Sequence, residues 1–153
     1  MEVAAFQKLV KDIVSAAQTL KDMHTTEKDA KVNYSAIFSQ SIDEYEDLLE
    51  VANKLGRIID DTPTGPLFII EPLNTAAGQL KLVKIRKPDD VRKERGDADF
   101  MVSDYNLFKK TYLSKPGFKL IHRPKFKMIE LADGNYNVLA YFSNPPLDKQ
   151  FGI

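Results

Sequence analysis

The run Asp97–Asn144, DADFMVSDYNLFKKTYLSKPGFKLIHRPKFKMIELADGNYNVLAYFSN, contains a complete supersecondary unit with its own punctuation. It opens on Asp97–Val102, where Ala98, Phe100 and Val102 alternate with Asp97, Asp99 and Met101. A period of two marks a strand with one apolar face. Ser103 predicts a helix N-cap, because its hydroxyl can take a backbone N–H that the first helical turn leaves unpaired. Leu107, Phe108, Thr111 and Tyr112 form the expected inner face of that helix, and Gly117 ends it. Three strands follow at Phe118–Arg123, Phe126–Leu131 and Tyr136–Phe142, the last two joined by a tight Asp-Gly turn at Ala132–Asn135. Pro145 and Pro146 then stop pairing, since proline brings no N–H to a ladder.

Working back toward the N-terminus, the same order recurs. Val32–Ser39 reads as a strand, and Ser41 caps a helix with Glu44 three positions on, the pattern of a capping box. Tyr45, Leu48, Leu49, Ala52 and Leu55 make the buried face of that helix, and Gly56 is expected in the left-handed position after it. Strands follow at Arg57–Asp60, Leu67–Glu71 and Gln79–Arg86, with turn residues at Asp61–Pro66 and Pro72–Gly78 between them. Cap and stop are Ser41 and Gly56 in one copy, Ser103 and Gly117 in the other. The expected fold is therefore α+β, with two tandem βαβββ units at 32–87 and 97–144. A charged linker occupies 88–96 and a tail 145–153. One extra helix within residues 1–26 precedes them, its stripe formed by Phe6, Leu9, Val10, Ile13, Ala16, Ala17 and Leu20.

Composition narrows the chemistry. The 153 residues are enough for one domain with a real core, and there is no cysteine, which excludes disulfides, thiolate nucleophiles and cysteine zinc sites. No apolar run is long enough to span a bilayer and the first 20 residues lack a signal-type core, so the expected location is cytoplasmic and no membrane partner is expected. Net charge is zero but uneven: residues 1–80 carry 7 basic and 13 acidic groups, and residues 81–153 carry 15 and 9. Such polarity can steer an anionic ligand or orient a partner, or it can simply reflect solvated faces. The stretch Leu80–Lys87 holds four cations among apolar residues. With no RNA motif in the chain, it reads as an edge strand guarded by lysine, and nucleic acid is not an expected partner. Gly-rich phosphate loops, HExxH and nucleophile elbows are absent.

Two strand–helix–three-strand units in this order, with a Gly117-Phe-Lys-Leu return and a Met128-Ile-Glu-Leu strand, resemble the vicinal-oxygen-chelate superfamily. That group includes glyoxalase I, extradiol dioxygenases, methylmalonyl-CoA epimerase and bleomycin-resistance proteins. The resemblance covers Val32–Asn144 and implies two paired units whose mixed sheets curl into a cleft. It also implies, for catalytic members, a divalent metal held by His or Glu near the start of each first strand and by Glu on each last strand. Here the first strands offer Asn33 and Ser35, then Asp97 and Asp99, while the last strands offer Gln79 and Lys81, then Asn137 and Tyr141. Neither last strand has a carboxylate, neither His24 nor His122 falls on a first strand, and a nearby lysine opposes a cation. The expectation is thus no metal and no cofactor. A small organic ligand would be bound in the cleft, as in members of the group that work without metal.

Asp97 and Asp99 point the same way from one strand, and two enclosed carboxyl groups raise at least one pKa, as general acid/base work requires. They are the candidate catalytic residues, with Asn33, Ser35, Lys81 and Tyr141 as candidate ligand contacts. Whether the protein is an enzyme is left open, as are ligand and reaction. The alternative is a non-enzymatic interaction protein acting through its N-terminal helix. The N-terminal helix can either cap the first unit within its own chain or pack on a second copy, and because paired units in the resembling family often associate, a homodimer contact is the preferred of the two.

Overall fold

A computed structural model describes residues Met1–Ile153. Helix α1 spans Val3–His24. The first unit comprises β1 (Lys31–Phe38), α2 (Ile42–Leu55), β2 (Gly56–Thr62), β3 (Gly65–Thr75) and β4 (Gly78–Arg86). The second comprises β5 (Gly96–Met101), α3 (Tyr105–Tyr112), β6 (Phe118–His122), β7 (Lys127–Leu131) and β8 (Val138–Asn144), followed by the short α4 (Leu147–Gln150). In each unit the first strand lies parallel to the last, β1 beside β4 and β5 beside β8, and the remaining pairs are antiparallel. The units join through β1 and β5, giving one open sheet in the order β2-β3-β4-β1-β5-β8-β7-β6. The tandem repeat expected from the punctuation is present. No helix is long and apolar enough to cross a membrane.

The sheet curls. Lys84 on β4 and Arg123 after β6 stand five strands apart, about 24 Å on a flat sheet at ordinary strand spacing. Yet the charge of Arg123 acts on the Lys84 ammonium, as does that of Asp60 on β2. The wings of the sheet therefore fold toward each other over one face.

The opposite face carries the main core, where α1, α2 and α3 pack on Val32, Ile37, Phe68, Val83, Ile85, Ala98, Phe100, Ile129, Ala140 and Phe142. Along α1, Phe6, Val10, Ile13, Val14, Ala17 and Leu20 are all buried within their own chain. At roughly 1.5–3 kcal/mol for each large apolar side chain, this face contributes on the order of 10 kcal/mol. The stripe therefore needs no second copy, and the reason for assigning α1 to a homodimer contact disappears. Lys21 on the same helix is fully buried, its ammonium paired with Asp22 at 2.7 Å and bonded to the Glu27 carbonyl. His24 pairs with Asp133 of the β7–β8 turn at 2.9 Å.

Several local expectations are corrected. Ser41 caps α2 as expected, accepting from Glu44 N–H at 3.1 Å, but the Glu44 carboxylate reaches back to the N–H of Gln40 rather than of Ser41. Gly56 is extended, with φ −174°, and opens β2. A Cβ there would lie 1.8 Å from the Ile69 carbonyl oxygen, so close approach of β3 explains the glycine, not a left-handed turn. Asp104, not Ser103, caps α3, accepting from Leu107 N–H at 3.0 Å. The one-residue shift leaves Leu107 and Thr111 exposed, and only Phe108 and Tyr112 are buried from that helix. β4 lies between β3 and β1, so its lysines do not guard an edge. The expected loop Asp61–Pro66 is mostly paired, leaving Pro63 and Thr64 to turn the β2–β3 hairpin.

Candidate functional site

The inner, concave face of the curled sheet is built by strand alternation. On β5, Ala98 and Phe100 enter the main core, which turns Asp97 and Asp99 to the concave side. On β8 the same rule sends Tyr141 and Leu139 there, where they form a small cluster with Ala36 and Phe38 of β1. Cross-strand register then sets the neighbours. Asp99 lies opposite Tyr34 on one side and Tyr141 on the other, and Tyr141 lies opposite Glu130. In the adjacent row Asp97 lies between Ala36 and Leu139, and Ala36 is paired with Lys84 of β4. Directly opposed residues on adjacent strands are about 5 Å apart, so these side chains meet.

Both carboxyl groups are enclosed. Asp97 is 6% exposed and Asp99 2%, and one oxygen of each, Oδ1, has no hydrogen-bond partner. Burial, then the negative charge of Asp99, pushes Asp97 up to about 8, although the Lys84 and Arg86 cations pull the other way. Burial likewise pushes Asp99 up to about 7, against the polar groups of Ser143 and Asn33 beside it. Near neutral pH the pair therefore holds protons that ordinary aspartates have lost, and it can donate as well as accept them. Burial and the two aspartates raise the Tyr34 phenol well above its usual value. The Tyr141 hydroxyl donates to Glu130 Oε2 at 2.7 Å, and Arg92 Nη1 stands 3.7 Å from that oxygen.

Of the expected contacts, Asn33 and Tyr141 join the pair. A register shift between Val32 and Tyr34 accompanies the turn of Asn33 toward Asp99. Its amide donates to the Asp99 carbonyl at 3.2 Å and its oxygen accepts from Leu147 N–H at 3.1 Å, which brings α4 against the same end of the face. Ser35 and Lys81 are not brought to the pair. Ser35 alternates with Tyr34 and Ala36 and spends its hydroxyl on the Asp97 carbonyl at 2.7 Å, while Lys81 is exposed. The cations that do act on Asp97 are Lys84 and Arg86. Lys84 donates to Thr64 at 2.5 Å and Arg86 lies over the Phe38 ring at 5.0 Å. Their shared parity with Leu82 was the available signal for their common face, but only strand order shows that this face meets Asp97.

A divalent cation does not fit these donors. The concave positions on β1, β4 and β8 include Tyr34, Lys84 and Tyr141 but no carboxylate or histidine, and no three His, Asp or Glu side chains converge anywhere in the chain. Two carboxyl groups beside a lysine and an arginine are a poor cage for a hard ion.

No protein-family model and no curated protein sequence matches this chain. Among solved structures, the structural-genomics protein EC4020 is similar with a TM-score of 0.71 and 14% identity, over 92% of this chain and 86% of that one. A glyoxalase/bleomycin resistance protein/dioxygenase superfamily member from Vibrio splendidus 12B01 aligns with a TM-score of 0.48 and 9% identity, over 74% of this chain and 97% of that one. Methylmalonyl-CoA epimerase from Mycobacterium tuberculosis aligns at 0.42 and 13%, over 74% and 86%. At 14% identity the likeness to EC4020 is one of fold.

Proposed function

We infer, for a chain with this fold, that the concave face is a metal-independent binding site for a small polar organic molecule, gripped by the Asp97–Asp99 carboxyl pair. One observation carries the reading: each carboxyl group is buried with an oxygen that no protein group satisfies. An unsatisfied buried polar group costs about 1–3 kcal/mol, and a ligand that supplies the missing partner recovers it. The available chemistry is proton transfer. Asp97 or Asp99, when protonated, can give its proton to a ligand oxygen and keep the negative charge itself, or, when ionised, can take a proton from carbon or oxygen and become neutral. Because both groups are nearly inaccessible, the ligand enters when the covering side chains move, and α4, bonded to Asn33, lies at the Asp99 end of that cover. The interaction-protein alternative is weaker, because the α1 stripe is internal and the large exposed apolar residues, among them Met23, Ile58, Val91 and Leu107, lie on separate elements.

A thermal-shift screen of small organic acids, ketones and amides in EDTA tests this. A ligand at one hundred times its Kd adds about 2.7 kcal/mol and raises Tm by roughly 5–10 °C for a chain of this size. The expected hit acts in EDTA and loses its effect in Asp97→Asn or Asp99→Asn. Stabilisation that needs a divalent ion, or that both variants retain, contradicts the reading.

A further inference from the structure

A second concavity lies where β5 and β8 finish, between the first turn of α3 and the β6–β7 hairpin. It encloses about 380 Å3, and its wall holds Lys109, His122, Arg123, Lys125 and Lys127 with no carboxylate. None of the four Lys and Arg cations, Lys109, Arg123, Lys125 and Lys127, forms an ion pair, whereas Arg86, Arg92 and Arg95 each hold an acidic partner. Register fixes part of the wall as a row across three strands, in which His122 opposes Lys127 and Lys127 opposes Asn144. The hairpin is held by Arg123 N–H donating to the Phe126 carbonyl at 3.0 Å, which sets Arg123 and Lys125 on the rim. Tyr105 of α3 also lines the hollow, but its hydroxyl is buried away from solvent, where the charge of Asp99 acts on it. Four like charges around one hollow repel each other, and a bound anion relieves that cost.

We propose that this pocket binds a phosphate-type oxyanion carried by a small ligand. A group with two or more negative charges matches the number of cations better than a single carboxylate does, and the Asn106 and Asn144 amides supply further hydrogen bonds. The cations converge on one hollow rather than running along a strand, and the net charge of the chain is zero, so a compact anion suits the site better than a nucleic-acid backbone. The proposal does not depend on the reading of Asp97 and Asp99.

Titration with inorganic pyrophosphate at low ionic strength, followed by calorimetry and amide NMR shifts, is the test. One saturable site is expected, with shifts centred on Tyr105–Lys109 and His122–Lys127. Lys109→Ala and Lys127→Ala each weaken it about tenfold, the loss of one charge-assisted contact. Lys54→Ala on α2 leaves it unchanged. Absence of saturable binding, or equal affinity in the pocket variants, overturns the proposal. So does an oligonucleotide that binds with affinity rising with its length while pyrophosphate does not bind.

Discussion

Asparagine in place of Asp97 keeps the shape of the side chain and removes its titration. In the unfolded chain the carboxyl titrates near 3.8, and in the folded chain at about 8. Between those values the native state keeps a proton that the unfolded chain has released, so stability falls as pH rises, by about 1.4 kcal/mol per pH unit. The penalty is absent below pH 3.8, grows through the neutral range and levels off above pH 8. From pH 5 to pH 7 it amounts to about 3 kcal/mol, a large share of the stability of an ordinary domain. Asp97→Asn escapes it. Urea unfolding of both proteins at pH 5, 6 and 7 therefore gives a stability difference that moves by about 3 kcal/mol in favour of the variant, with unchanged m-values. A difference that stays flat over that range would show that Asp97 is ionised in the native protein, and the reasoning about an enclosed acid would fail.

Other outcomes follow from the packing. Gly56→Ala places a Cβ 1.8 Å from the Ile69 carbonyl and separates β2 from β3, with a loss of more than about 2 kcal/mol in urea unfolding. Arg95→Ala removes both bonds to Glu44, at 2.7 and 2.9 Å, and one to the Phe38 carbonyl, at 2.9 Å. That costs about 2 kcal/mol, and less in high salt. A chain beginning at Lys28 lacks α1, bares the centre of the sheet and loses cooperative unfolding; a monomeric, folded fragment would show that α1 is an accessory rather than part of the core.

The fold was legible because each unit announces itself by local means. A cap sits at Ser41, a glycine closes the helix region, and runs of period-two residues follow between prolines and glycines. The direction of Asp97 and Asp99 was legible too, since alternation with Ala98 and Phe100 fixes it. What surrounds them was not. The shift at Asn33 breaks the period on β1, so counting from Asn33 places Ser35 on the wrong side. Lys81 and Lys84 differ only in parity, and the parity that matters depends on β4 lying beside β1, a contact between residues nearly 50 positions apart in the chain. Ser103 and Asp104 are equally good caps, and packing of Phe108 beneath α3, which no local pattern reports, accompanies the choice of Asp104. The basic hollow went unseen because its wall comes from α3, a hairpin and the end of β8, and it exists only once the sheet has curled.

The most direct measurement is a carboxyl 13C NMR titration of the aspartates from pH 3 to pH 10, with Asp97→Asn and Asp99→Asn used for assignment. The account predicts that the pair titrates in two steps around pH 7 and 8. Both groups titrating below pH 5 would mean that the concave face holds two ordinary carboxylates, and the case for a site there would fall.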